Sequence, residues 1–343
     1  MATDATTGRQ PAALPVRTLG RSGVPVTALG FGAAAVAGLY QDVGEEEAAA
    51  AVEAAWDEGV RYFDTAPHYG LGLSERRLGA VLRSKPRDAF TLSTKVGRLL
   101  EPYDGGGDDL ANGFAVSATH RRRWDFSADG VRRSLEDSLT RLGLDRVDLV
   151  LLHDPDDHER QAFDEAYPAL EELRAQGVVR AIGAGMNRTR MLTRFLADTD
   201  VDAVLCAGRY TLLEQGALRS LLPTAVAAGK SVIVGGVFNS GLLADPGPGA
   251  TYEYTAAPGE LLRRAVRMRD VTEAHGVPLR AAALRFPFGH PAVAAVLVGA
   301  RSAAQVRDAA EQYRRPVPRA AWTALRERDL LPAHAPVPEG DRS

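Results

Sequence analysis

One cysteine stands in 343 residues, so no intramolecular disulfide can form. Cys206 lies inside the apolar run 204–207, the setting of a packing thiol rather than a nucleophile. No apolar run approaches the roughly 18–20 residues of a membrane span. The opening segment lacks the basic start and apolar core of a secretory signal, so a cytoplasmic location is expected. Charge of one sign is missing too. The formal net charge is −3, which gives no electrostatic reason for a nucleic acid or an anionic membrane as partner. The short cluster Arg121, Arg122, Arg123 reads as solvated surface. No histidine pair has metal-ligand spacing beside a third donor, so no metal is expected. No G-x-S-x-G nucleophile context and no solenoid-length repeat occur either.

What is present is alternation. Apolar strand segments at 30–35, 60–64, 90–95, 147–152, 178–184, 202–206, 231–235 and 293–298 are separated by helical patterns. The helical patterns fall at 45–58, 74–83, 128–141, 160–176, 188–197, 214–228, 279–288 and 302–313. Several strands are apolar at nearly every residue, as parallel strands covered on both faces must be. Eight such units point to an α/β fold, a (β/α)8 TIM barrel. A Gly/Ser turn within 19–29 adds an N-terminal hairpin, and a single domain is expected over 15–332. Residues 1–14 and 333–343 read as frayed tails. The rival is a Rossmann-type sheet, supported by Gly30-Phe-Gly-Ala-Ala-Ala35. That motif needs a helix to begin inside it, and here seven residues intervene before any helix signal. The segments 98–126 and 239–258 are long loops, and their aromatic residues suit lids over the C-terminal face.

Three successive strands end in groups that move protons. The first runs into Asp64 and then Tyr69, before a helix expected to open at Ser74-Glu75. The next ends at Lys95 and the third at His153. Each residue alone has a plain structural role available, such as a turn cap, a loop phenol, a snorkelling lysine or a turn histidine. Four at adjacent strand ends suggest chemistry. A free phenol has a pKa near 10, and a neighbouring ammonium should lower it toward useful acid/base catalysis. Lys95 supplies that ammonium, Asp64 orients it, and neutral His153 hydrogen-bonds the substrate oxygen or the phenol. His68 and Trp124 are the candidate substrate contacts.

With these motifs in place, the chain resembles the aldo-keto reductases from residue 17 to about 313. The resemblance rests on 59–70, Ser93-Thr-Lys-Val-Gly97, 147–153 and Val298-Gly-Ala-Arg-Ser302. It implies a barrel that binds a nicotinamide cofactor without a Rossmann domain, with Asp64, Tyr69, Lys95 and His153 as the catalytic set. Segments 184–187, 207–215 and 235–243 are most similar to the aldose 1-dehydrogenase branch. That branch includes L-fucose and D-threo-aldose dehydrogenases, with pyridoxal 4-dehydrogenase as a close relative. The implied reaction is oxidation of an aldose at C1 to an aldonolactone; general carbonyl reduction and a non-catalytic cofactor-sensing role are the alternatives.

The resemblance also implies cofactor contacts. These are Gly32, Asn187 and Phe238 toward the nicotinamide, Asn239, Ser240, Gly241 and Leu242 along the pyrophosphate, and Gly299, Arg301, Ser302 and Gln305 at the adenosine end. The lysine and arginine that grip a 2′-phosphate in NADP-preferring members are replaced by Gly299 and Gln305. NAD is therefore the expected cofactor, with NADP tolerated.

Overall fold

A computed structural model describes residues 13–253 and 255–339. Its centre is a closed barrel of eight parallel strands. They are β1 (Leu29–Gly32), β2 (Tyr62–Asp64), β3 (Thr91–Val96), β4 (Leu149–His153), β5 (Ala181–Met186), β6 (Ala203–Ala207), β7 (Ser231–Gly235) and β8 (Val293–Gly299). Each pairs with its neighbour in sequence, and β8 closes onto β1. All eight fall on the expected segments. The (β/α)8 barrel is the fold.

Strand periodicity sorts the side chains into two cores. Phe63, Leu92, Val96, Val150 and Leu152 point outward into a large core shared with the helices. Tyr62, Leu149, Leu151, Leu205, Ile233 and Leu297 point inward. The hairpin of Val16–Thr18 and Pro25–Thr27 adds Leu19, Val24 and Val26 to that inner cluster. It plugs one end of the barrel with apolar surface. Only the C-terminal end is left for polar chemistry.

The Gly30 motif has a packing role instead of a phosphate-binding one. A Cβ there would sit 2.8 Å from Leu297 Cδ2 and 2.9 Å from Tyr62 Cδ1. Strand β1 is followed by a single 3-10 turn, Ala35–Ala37, and the first long helix starts only at Glu45. The Rossmann alternative fails on that gap.

Several elements depart from expectation. Segment 98–126 is built around an antiparallel ribbon, Arg98–Pro102 against His120–Trp124, with a smaller pair at Asp108–Asp109 and Phe114–Ser117. Gly97, at φ 103°, turns the chain from β3 into that ribbon, and a Cβ there would strike Phe126 at 2.1 Å. Helices Gly259–Glu273 and Arg319–Glu327 add to the eight expected. Of the C-terminal segment expected to fray, 333–339 packs instead: Ala335 is buried and its carbonyl accepts from Arg326 Nη2 at 2.6 Å. Residues 1–12 and 340–343 of the two tails lie outside the described residues. Among those described, no helix is long and apolar enough to cross a membrane.

Candidate active site

The inward phase of three strands carries Asp64, Lys95 and His153 to one layer at the open end. Beneath them the same phase places Tyr62 and Ser93, whose oxygens lie 3.1 Å apart. Ser93 Oγ donates to Asp64 Oδ1 at 2.7 Å. Lys95 Nζ donates to Asp64 Oδ2 at 2.7 Å and to the Thr65 carbonyl at 3.0 Å. Asp64 therefore spends its carboxylate on Lys95 and Ser93, not on a turn. Burial disfavours the Lys95 ammonium, yet Asp64 and the Tyr69 oxygen outweigh it and hold the pKa above its ordinary value.

Tyr69 hangs over this pair, with Lys95 Nζ 4.8 Å from its ring centroid. Its loop is braced from below. Ser74 does not cap the following helix, which runs Leu73–Leu82. It is fully buried, donates to the Ala33 carbonyl at 2.8 Å and bonds Thr65 Oγ1 at 2.8 Å. Glu75, also buried, accepts from Thr94 and Arg141. The expected lowering of the phenol pKa is only partly met. Burial raises it, Lys95 lowers it and Asp64 raises it again, leaving the phenol above its ordinary value. Lys95 moderates the phenol; it does not make it acidic.

His153 and His68 face each other, with ring centroids 5.6 Å apart, and His153 lies 5.8 Å from Tyr69. Burial first, then Arg98 and Lys95, holds His153 well below its ordinary pKa. Burial, Arg98 and Arg122 push His68 down to about 2. Both rings are neutral. His153 Nδ1 is buried with no partner, whereas Nε2 lies 3.6 Å from Asp154 Oδ2. The proton of the neutral ring therefore belongs on Nε2. Trp124 is 41% exposed on the ribbon above and stacks with Phe126 at 5.8 Å.

Two ion pairs in this mouth escaped the sequence reading. Arg98 pairs with Asp154 and lies 4.1 Å from the Trp124 ring centroid. Arg122, assigned to solvated surface, is instead largely buried in a two-pronged pair with Asp109 at 2.6 and 2.7 Å. It also donates to the His68 carbonyl at 2.8 Å. Arg121 remains exposed as expected, and Arg123 is partly exposed, paired with Glu101 and Asp125. No spacing rule marks such pairs: Arg98 and Asp154 come from different segments, and Arg122 meets Asp109 only through the folding of 98–126.

The expected cofactor residues lie at or after the ends of β1, β5, β7 and β8. Gly32 ends β1 beside Asp64. Asn187 is exposed just past β5, and Phe238 is partly buried past β7. Asn239, Ser240 and Gly241 are consecutive left-handed residues, with φ of 47°, 59° and 98°. The Asn239 amide is committed to Thr211 at 2.6 Å and to the Gly208 carbonyl at 3.3 Å, and Leu242 is buried. These two have backbone, not side chains, to offer a ligand. Gly299 is exposed at the tip of β8. Ser302 caps the helix Ala303–Arg314 through the Gln305 amide, while Gln305 Oε1 accepts from the Arg301 N–H at 3.0 Å. That helix has no acid in its first turn, so its N-terminus is free of the charge that would repel a phosphate.

A phenol thus stands over a buried lysine–carboxylate pair in the mouth of a parallel barrel. Residues 28–329 match the aldo/keto reductase family, and the chain belongs to it. It is an enzyme that uses a nicotinamide cofactor. It is 47% identical to a D-threo-aldose 1-dehydrogenase from Pseudomonas sp over 317 residues, covering 91% of this chain and 96% of the relative. It is 40% identical to a pyridoxal 4-dehydrogenase from Microbacterium luteolum, covering 92% and 97%. Among solved structures, an aldo-keto reductase from Bacillus halodurans in its holo form superposes with a TM-score of 0.75. That pair is 27% identical and covers 93% of this chain and 96% of the other.

Proposed function

We propose that the enzyme oxidises the C1 hydroxyl of a cyclic aldose to an aldonolactone in the cytoplasm. The observation that carries this is Tyr69 above the Lys95–Asp64 pair, in a chain 47% identical to an aldose 1-dehydrogenase. A bound nicotinamide supplies the hydride acceptor. Lys95 favours the phenolate form of Tyr69, which takes the hydroxyl proton and becomes the neutral phenol, and Asp64 fixes Lys95. The Nε2–H of His153 donates to the reacting oxygen and fixes its direction.

Asn187 and Phe238 are proposed at the nicotinamide and the 239–242 turn at the pyrophosphate. Gly299, Arg301, Ser302 and Gln305 are proposed at the adenosine. Arg301 stands there without a lysine partner, which supports NAD over NADP. A second reading, oxidation of a pyridoxal alcohol, has the 40% identical relative in its favour.

The test is turnover of L-fucose, D-arabinose and pyridoxal with NAD and with NADP, trapping any lactone formed. Lactone from an aldose, fastest with NAD, is expected. Turnover of pyridoxal alone would transfer the assignment to the second reading.

A further inference from the structure

One ion pair in the mouth neither gives nor takes the transferred proton. Asp154 directly follows His153 and holds a φ of 43°, a left-handed conformation that is unfavourable for a residue with a side chain. Its N–H donates to the Gly185 carbonyl at 3.0 Å, which fixes the bend. The carboxylate remains 37% exposed while its partner Arg98 is 10% exposed. Arg98 Nη2 donates to Asp154 Oδ2. The Arg98 guanidinium lies 4.1 Å from the Trp124 ring centroid, and Arg98 and Trp124 are register partners in the ribbon. A purely structural pair needs neither strained backbone nor an open carboxylate. Here a buried cation aims a carboxylate at the mouth, with a half-exposed indole alongside.

We propose that Asp154 receives the sugar hydroxyl on the carbon next to the reacting one. Arg98 is its positioning residue, and Trp124 supports the ring's C–H face. This rests on the aldose reading and specifies which part of the sugar is read. Asp154 Oδ2 stands 3.6 Å from His153 Nε2. The two oxygens on neighbouring sugar carbons are separated by about one hydrogen-bond length. With the C1 oxygen on His153, the C2 hydroxyl is the donor within reach of Asp154. An ionised carboxylate only accepts, so it suits a ring of hydroxyl donors. A site built to bond a hydroxyl rejects the analogue that lacks it.

The test compares kcat/KM for L-fucose and 2-deoxy-L-fucose in wild type, Asp154→Asn and the double variant Arg98→Gln/Asp154→Asn. The double variant avoids leaving Arg98 buried without a counter-charge. The wild type should prefer L-fucose by at least about tenfold, and both variants should bring the ratio to within about threefold of unity. A structural role would lower both substrates together and leave the ratio intact. That result overturns the proposal, as does a wild-type ratio near one, which needs no variant to read. A wild type that oxidises no aldose removes the parent reading instead.

Discussion

Lys95 Nζ lies 2.7 Å from Asp64 Oδ2, with the two side chains only 2% and 4% exposed. Burying two charges is costly, and a buried pair of this kind is often no more stabilising than a well-packed apolar one. The remaining polar atoms are met by Thr65 and Ser93. Its return is chemical. It keeps a fixed ammonium beside the Tyr69 phenol.

Asp64→Asn should therefore damage both stability and turnover. Removing one partner of a buried pair leaves an uncompensated charge, and unfolding in urea should show a loss of about 3–5 kcal/mol. Adding Lys95→Met should recover most of that stability and none of the activity. Recovery of turnover in the double variant would show that the pair serves folding alone.

The raised pKa of Tyr69 sets the sign of the pH dependence. Oxidation needs a phenol oxygen able to take a proton, so kcat/KM for an aldose should climb from about pH 7 toward about pH 10. Carbonyl reduction needs the protonated phenol, which a raised pKa keeps populated, and should stay level across the same range. Parallel profiles in the two directions would place the titrating group elsewhere.

Much of the site was legible because β2 and β4 end on Asp64 and His153, and β3 carries Lys95 one residue before its end. A period of two then places Asp64, Lys95 and His153 together. The Arg98–Asp154 and Arg122–Asp109 pairs were not legible, since they join loops whose geometry depends on the ribbon. His120-Arg-Arg-Arg-Trp124 looks like a charged loop, yet it forms a strand in which Arg122 turns inward. Helix Gly259–Glu273 did carry a signal, its buried Ala265, Met268 and Thr272 falling at helical spacing. The Gly/Pro-rich segment before it masked that pattern. The phenol's raised pKa was missed for another reason: burial is a tertiary quantity, and the sequence shows only the charge that opposes it.

Cofactor choice should turn on Gly299 and Gln305. Gly299 is exposed, and an added Cβ would meet its nearest neighbours at an ordinary 3.7 Å, so a side chain fits. Gly299→Lys with Gln305→Arg should raise kcat/KM for NADP at least about tenfold relative to NAD, since a dianionic phosphate gains two cations. An unchanged preference would move the adenosine end away from this corner.

The central claim is that Tyr69 carries the proton. Its most direct test is Tyr69→Phe, with single-turnover oxidation of an aldose measured beside nicotinamide binding by fluorescence. Loss of one positioned acid/base group should slow turnover by about 10²–10⁴-fold while cofactor affinity stays within about threefold, because the ring and its packing remain. Turnover at or near the wild-type rate would contradict the account.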